Sequence, residues 1–436
     1  MDNNYLGYSI ERLAKKNETI LEGYLKNTLK KHFYKEILMI KNKKTLINKK
    51  NNLKETDLLV PFFPYRADYE LFIYPVIEKS IEENIKVTLI IPKIAFSSPN
   101  LEHLKNKIQI IFYEDFISKI KTYNRVKKML KLEYFSNVYK KYNTIDYSSS
   151  KVNSIIVNFA FEYCIALEII ENVKPKKVYS IHFVLNPGWL KAISKKSIPI
   201  HLIQHGFFNN SLHDFIGSDL VFLWGSHHKK RLKEIDSSIN SIIVGNPKIE
   251  IIKKNSKIIS CNDKLVILFV SSGSTFSNEK FHSGTLEAIK KIKSLNLNIK
   301  LIYKLHPSEN ISSFYKWIKL GILTENEIVY NSDVYNNILC SDIVISITST
   351  VINEAAYFNK FCIRYNIDNN NLGERIDDGI LNISSPKSLV EAIRKANGKS
   401  EFYLSQVEKQ QKRINYMFSS NENIFKDIVS SLKRTN

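Results

Sequence analysis

The sequence has no apolar run approaching the roughly 18–20 residues that cross a bilayer, and its first sixteen residues mix acids, bases and Asn without the apolar segment of a secretory leader. The first lack argues against an integral membrane protein, and the second predicts a cytoplasmic one. Cysteine is scarce: Cys164, Cys261, Cys340 and Cys362 all sit in apolar surroundings and none belongs to a CxxC pair. They read as small buried hydrophobes rather than a disulfide or zinc set, which suits a reducing compartment. Neither GxxxxGK[ST] nor GxGxxG occurs, so Walker-loop kinases and NTPases and nicotinamide enzymes are disfavoured. With no HExxH, no Cys pairs and no dense carboxylate cluster, neither a metal nor a resident cofactor is expected.

Positive charge is abundant: 64 Lys and Arg face 43 Asp and Glu, a formal net charge of +21. Such a surplus draws a protein toward polyanions, among which a membrane surface, an anionic glycan and nucleic acid stay open. The heavy use of Lys, Asn and Ile is equally what a nucleotide bias in the source genome would give. Residues 1–55 read as mostly helical and basic. Residues 116–142 read as a long helical stretch rich in bases and aromatics, either a solvated face or a surface for an acidic acceptor or lipid headgroups.

At 436 residues the chain is too long for one ordinary core and fits two α/β domains. Strands expected at 57–60, 87–91, 108–112, 154–157, 178–181, 200–203, 220–223 and 242–244 leave intervals mostly long enough for crossover helices. They define a first, Rossmann-like domain over 1–252. After turn chemistry at Gly245-Asn246-Pro247 and a polar linker over 253–264, strands at 265–270, 299–303, 327–330, 343–347 and 361–363 alternate with helices at 284–295, 334–340 and 351–358. These form a second domain over 262–398, and 399–436 reads as helices packing back toward the first. The predicted fold class is α/β, two Rossmann-like domains facing each other across a cleft.

In an open parallel sheet ligands bind beyond the carboxyl ends of the strands, so residues that follow strands carry the information. Lys304-Leu305-His306-Pro307 follows one strand, and Pro307 suits the first turn of a helix, which would put His306 at a helix N-terminus with free N–H groups and an imidazole for phosphate. Lys304 adds charge there. Ser349 and Thr350 open the helix of 351–358, where they either cap it or hold phosphate oxygens. Glu354, one turn further, could accept ribose hydroxyls. The loop 271–275, with Ser272, is a third hydroxyl-rich strand end. In the first domain Gly206 would let the chain turn and expose His205, with His213 and Asp214 in the same loop. His205 beside a carboxylate is a candidate general base, with a buried structural His as the alternative. Glu162 is a second base candidate, or simply a solvent-facing helix residue. His227 and His228, next to Lys229 and Lys230, read as surface.

The order Gln204-His205-Gly206, Ser218-Asp219-Leu220-Val221, Trp224-Gly225, Val244-Gly245-Asn246-Pro247, Lys304-Leu305-His306-Pro307, then Ser349-Thr350 with Glu354 resembles GT-B enzymes of bacterial surface-polysaccharide synthesis. These are the capsule polysialyltransferases, Kdo-type capsule transferases and CDP-glycerol glycerophosphotransferases. The resemblance covers about residues 198–365. It implies that His306, Ser349 and Thr350 bind the phosphate of a nucleotide-activated sugar, the cytidine nucleotide included, and that His205 or an acid of the first domain is the base. It also implies an anionic glycan or lipid-linked acceptor, with peripheral contact at the inner membrane surface, and does not favour nucleic acid. The absence of DxD-type acids after a strand argues against a metal-dependent GT-A enzyme, so a metal-independent reaction is expected, and single displacement by the acceptor hydroxyl would invert the anomeric centre.

The acidic Glu-Asp-Gly motif of polysialyltransferases has no clear counterpart in the first domain, whereas Asp377-Asp378-Gly379 lies in the second. Val-Gly-Asn-Pro also resembles the non-hydrolysing UDP-N-acetylglucosamine 2-epimerases, which share the fold. Their Gly-Thr-Arg and Asp-Ser-Gly-Gly turns are replaced here by Pro61-Phe62-Phe63-Pro64-Tyr65-Arg66 and Thr348-Ser349-Thr350. The epimerase reading is therefore the second choice, and a non-catalytic glycan- or membrane-binding GT-B module the third.

Overall fold

Short apolar runs rich in Ile, Val and Leu, bounded by polar turns, form the strands of two sheets in which all pairing is parallel. The computed structural model describes residues 53–63, 69–92, 99–117, 149–181, 185–206, 215, 217–255, 264–271, 279–295, 297–306, 309–330, 332–347, 351–366 and 379–434. The chain divides into two units. One holds the chain up to Leu223, Arg231–Val244 and the chain from Asn423 on; the other holds Trp224–Lys230 and Gly245–Glu422.

The sheet of the first unit contains β1 (Leu58–Pro61), β2 (Val87–Ile91), β3 (Gln109–Phe112), β4 (Lys177–Ile181), β5 (Ile200–Ile203), β6 (Leu220–Leu223) and β7 (Asn240–Ile243). Their order is β3-β2-β1-β4-β5-β6-β7, so the winding reverses between β1 and β4. Helix α1 (Glu70–Glu82) covers one face, where the Tyr179 hydroxyl donates to the Phe72 carbonyl (3.0 Å). Helices α2 (Ser149–Val173) and α3 (Pro187–Lys195) cover the other, packing Ile170, Val173 and Trp189 on Leu59, Val178 and Leu202.

The strand expected at 154–157 is a correction: those residues lie inside the 25-residue α2. Its apolar residues continue through Phe159, Cys164 and Ile170 with no Gly or Pro to interrupt them, and a short apolar run cannot by itself tell strand from buried helix. The two basic helical expectations, 1–55 and 116–142, fall almost wholly outside the described residues.

The longer segment of the second unit opens with α4 (Pro247–Asn255), where the sequence pattern predicts a turn and then a linker. Asn246 Oδ1 accepts the Lys248 N–H (3.1 Å) and Pro247 takes the first helical position, a capping pattern that starts a helix. The sheet contains β8 (Leu265–Val270), β9 (Ile299–Lys304), β10 (Ile328–Val329), β11 (Ile343–Ser346), β12 (Phe361–Tyr365) and β13 (Leu381–Ile383), the last without a predicted counterpart. Around it lie α5 (Glu279–Lys293), α6 (Val334–Leu339), α7 (Val351–Tyr357), α8 (Pro386–Ala396) and α9 (Glu401–Met417).

Trp224-Gly225 is held by the end of α9. The Trp224 indole stacks on Phe418 (5.6 Å), its carbonyl accepts the Ser419 N–H (2.8 Å), and a Cβ on Gly225 would lie 2.3 Å from the Met417 carbonyl oxygen. His228, expected at the surface, is buried between Trp224 and Phe418, and burial pushes its pKa down to about 3. Helix α10 (Ile424–Arg434) returns to the first unit and packs on α1, with Lys433 paired to Glu83 (2.5 Å) and the Lys177 ammonium donating to the Leu432 carbonyl.

An aspartate immediately precedes three strands and sets their register. Asp57 Oδ2 accepts the Lys86 N–H (3.0 Å) ahead of β2, Asp219 Oδ2 that of Ile200 (2.7 Å) in β5, and Asp342 Oδ2 that of Val266 (2.9 Å) in β8. Each carboxylate serves a backbone donor at the amino edge of the neighbouring strand, a group that must find a partner. Asp342→Ala is expected to lower the stability of the second unit by about 1–3 kcal/mol in urea unfolding. Lys399→Ala, which removes only the exposed ion partner of Asp342 (3.1 Å), should cost less than about 1 kcal/mol.

Candidate functional site

In the second sheet the order β10-β9-β8-β11-β12-β13 reverses between β8 and β11, the position at which an open sheet leaves a crevice. Register brings three strand ends level there. Val270, last in β8, pairs with Lys304, last in β9, and with Ser346, last in β11. The Ser346 hydroxyl donates to the Val270 carbonyl (2.9 Å) and the Ser271 N–H to the Lys304 carbonyl (3.0 Å). The chain therefore leaves β8 at Ser271, β9 at Leu305 and β11 at Ile347 along one edge of the sheet, side by side. Ser272, Ser349 and Thr350 follow two of these exits in the chain and lie outside the described residues.

His306 is exposed at the end of its turn, but it is not at a helix N-terminus as expected. The first helical residue after β9 is Ile311, capped by Asn310, because Glu309 closes a turn on the His306 carbonyl instead (2.9 Å). The Glu309 carboxylate also accepts the His306 N–H (3.0 Å) and the Ser271 hydroxyl (2.7 Å), so it ties the β8 turn to the β9 turn. Sequence reading missed this residue; its place three positions after a His-Pro was the available signal.

Two charged residues assigned to the donor site turn inward. Lys304 is buried, and its ammonium donates to the carbonyls of Tyr330 (2.7 Å) and Leu305 (3.3 Å), with burial lowering its pKa. Glu354 is buried at 1% exposure, its Oε1 3.0 Å from the Lys248 ammonium and its Oε2 accepting the Tyr335 hydroxyl (2.5 Å). Lys248 also lies 5.2 Å from the centre of the Tyr335 ring. This trio joins α4, α6 and α7, and a ribose hydroxyl would meet a carboxylate whose two oxygens already have partners.

In the first unit, His205 follows β5 and is half-buried, edge-on to Tyr69 (4.8 Å) and Phe72 (5.3 Å). Gly206 has φ +78°, a conformation that favours glycine, and the Gln204 amide donates to its carbonyl (3.0 Å). Asp214 and His213 are outside the described residues.

Glu162, on α2, is half-buried, with both carboxylate oxygens held by partners inside the unit. Its Oε1 accepts the Tyr113 hydroxyl (2.6 Å) and its Oε2 the Trp189 indole N–H (2.9 Å). Burial raises its pKa to about 7, outweighing the two hydrogen bonds that lower it. Tyr113 follows β3, and Phe63, just past β1, lies edge-on to both Tyr113 (5.5 Å) and Trp189 (6.4 Å). The carboxyl group thus sits beneath the carboxyl edge of the sheet, able to hold or release a proton near neutrality.

No protein-family profile and no curated protein sequence matches this chain. Solved structures do. The UDP-GlcNAc 2-epimerase from Neisseria meningitidis, bound to UDP-GlcNAc, is 14% identical over 87% of this chain and 100% of its own, with a TM-score of 0.58. The S. aureus MnaA–UDP co-structure is 14% identical over 87% and 96%, at 0.55. The UDP-GlcNAc 2-epimerase from Methanocaldococcus jannaschii is 16% identical over 86% and 99%, at 0.51.

The fold is GT-B. At such identities the likeness is one of fold, and it agrees with two parallel, doubly wound sheets. Within the GT-B frame, the second sheet gathers His306, Ser271 and Glu309 at its reversal point, while Lys304 and Glu354 brace the elements around it. Among the described residues, no helix is long and apolar enough to cross a membrane. Of the three described cysteines, Cys164 and Cys362 are buried and Cys340 is half-buried.

A carboxyl whose pKa the fold raises costs no stability while protonated in both states and costs stability as pH rises through the folded value. Glu162→Gln keeps the volume and both polar contacts, its amide donating to Tyr113 and its carbonyl accepting from Trp189. The variant should match the wild type near pH 5 and be more stable by about 1–2 kcal/mol at pH 8, measured by chemical unfolding at each pH.

Proposed function

We propose that this chain is a nucleotide-sugar-dependent glycosyltransferase whose second unit holds the donor phosphate at the turns following β8, β9 and β11. The observation that carries this reading is the level pairing of Val270 with Lys304 and Ser346 at the reversal point of the sheet. Those turns hold His306, Ser272, Ser349 and Thr350, an imidazole and hydroxyls suited to stabilising a leaving phosphate. Transfer is metal-independent and inverting in this proposal. The base is His205, with Asp214 in the same loop, or Glu162, whose pKa of about 7 fits proton transfer at neutrality. From the motif resemblance, we assign an acid sugar such as a nonulosonic acid from a CMP donor, with a bacterial surface glycan or glycoconjugate as acceptor. The basic surplus suits an anionic glycan or the inner membrane surface.

A second reading, a UDP-N-acetylglucosamine 2-epimerase, is favoured by the likeness to proteins of that name, one of them bound to UDP-GlcNAc. Incubation with UDP-GlcNAc and no acceptor separates the two, because only an epimerase would turn it over.

A nucleotide that binds the folded chain raises its unfolding temperature, by about 2.7 kcal/mol of stabilisation at a hundredfold excess over Kd. A panel of CMP, CDP, UDP and GDP is expected to show such a shift for at least one base. His306→Ala should reduce that nucleotide's affinity about tenfold or more, with little change in the unliganded unfolding temperature because the side chain is exposed. No shift with any nucleotide would leave a binding module in place of an enzyme.

A further inference from the structure

Ser271 and His306 belong to neighbouring turns, yet the hydroxyl of one and the backbone N–H of the other converge on a single carboxylate, that of Glu309, at 2.7 and 3.0 Å. Both donors are neutral, and no cation pairs with Glu309 among the described residues. Lys304, the cation on the same strand end, is turned to the carbonyls of Tyr330 and Leu305. A hydroxyl and an amide aimed at one point on the carboxyl edge of adjoining parallel strands make a seat for an anion. A side chain of the chain itself fills it.

We infer that Glu309 is an internal substitute for the donor's phosphoryl group, and that nucleotide binding requires its carboxylate to swing out of this seat. The inference rests on the donor-site reading above. Two anions a few ångströms apart repel, and one pair of donors serves one of them, so carboxylate and phosphate cannot both occupy the seat. The phosphoryl group remakes both hydrogen bonds and brings a further acceptor oxygen. When the spent nucleotide leaves, Glu309 returns, which keeps the two turns joined and opposes rebinding of product.

Glu309→Gln tests this, because it keeps the side-chain length and both links, the amide donating to Ser271 Oγ and the carbonyl accepting the His306 N–H, and removes only the charge. Isothermal titration of the full chain would use CMP, CDP and UDP, with cytidine and uridine as phosphate-free controls. The variant is expected to bind the nucleotides about tenfold or more tightly than the wild type, about 1.4 kcal/mol, and the nucleosides equally. Nucleotide binding that is unchanged or weaker, or an equal gain for nucleosides, overturns the inference while wild-type binding keeps the donor site. Binding of no nucleotide by either protein overturns the donor site itself and the inference with it. Should Glu309→Gln fail to fold, Glu309→Ala, which removes the charge and vacates the seat, takes its place with the same expected gain.

Discussion

Parallel pairing is the constraint from which the rest follows. A strand that runs alongside its neighbours ends where they end, so whatever chain leaves β8, β9 and β11 is delivered to one edge, however far apart the segments lie in sequence. Val270 lies between Lys304 and Ser346 for that reason. The reversal of winding adds the second condition: helices on either side of β8 and β11 depart to opposite faces and leave the edge open between them. The aspartates before β1, β6 and β11 lock register at the opposite, amino edge, so the two edges divide the labour between holding the sheet and presenting chemistry.

Elements whose apolar residues were both short and bounded by turn residues were readable from the chain alone, as β2 with its closing Pro92 and β8 before its Ser-rich turn show. Residues 154–157 were not, because the same kind of apolar run is also one side of the buried α2, and only its continuation through Ile170 decides. Asn246 and Pro247 start a helix where the sequence fits a turn equally well, since the cap and the turn use the same residue types. Pro307 misled in the other direction. A proline after a strand suggests a helix, but the cap is at Asn310 and Glu309 governs the turn between.

Which way a charge faces was beyond the sequence. Lys304 ends β9 and Glu354 lies in the helix after β11, places from which a ligand contact is expected, and each instead serves carbonyls, an ammonium or a phenol inside the unit. Such buried pairs cost several kcal/mol when one member is removed, so they are visible only once their partners are known. The partners come from Tyr330, Lys248 and Tyr335, which no local spacing connects to them. Glu162 shows the converse. Its protonation behaviour depends on Tyr113 and Trp189, brought to it from β3 and α3, and on the exclusion of water around all three.

The two units share the chain unevenly: it passes between them after Leu223, Lys230, Val244 and Glu422. The helix that covers α1, with Ile428, Val429 and Leu432 buried, comes last in that order. On the ribosome, which releases about 5–20 residues per second, all of Gly245–Glu422 must emerge first, a wait of roughly 9–36 s. During that wait the flank of α1 lacks the helix that later packs on it. That side of the first unit is thus completed only when translation has delivered the final helix.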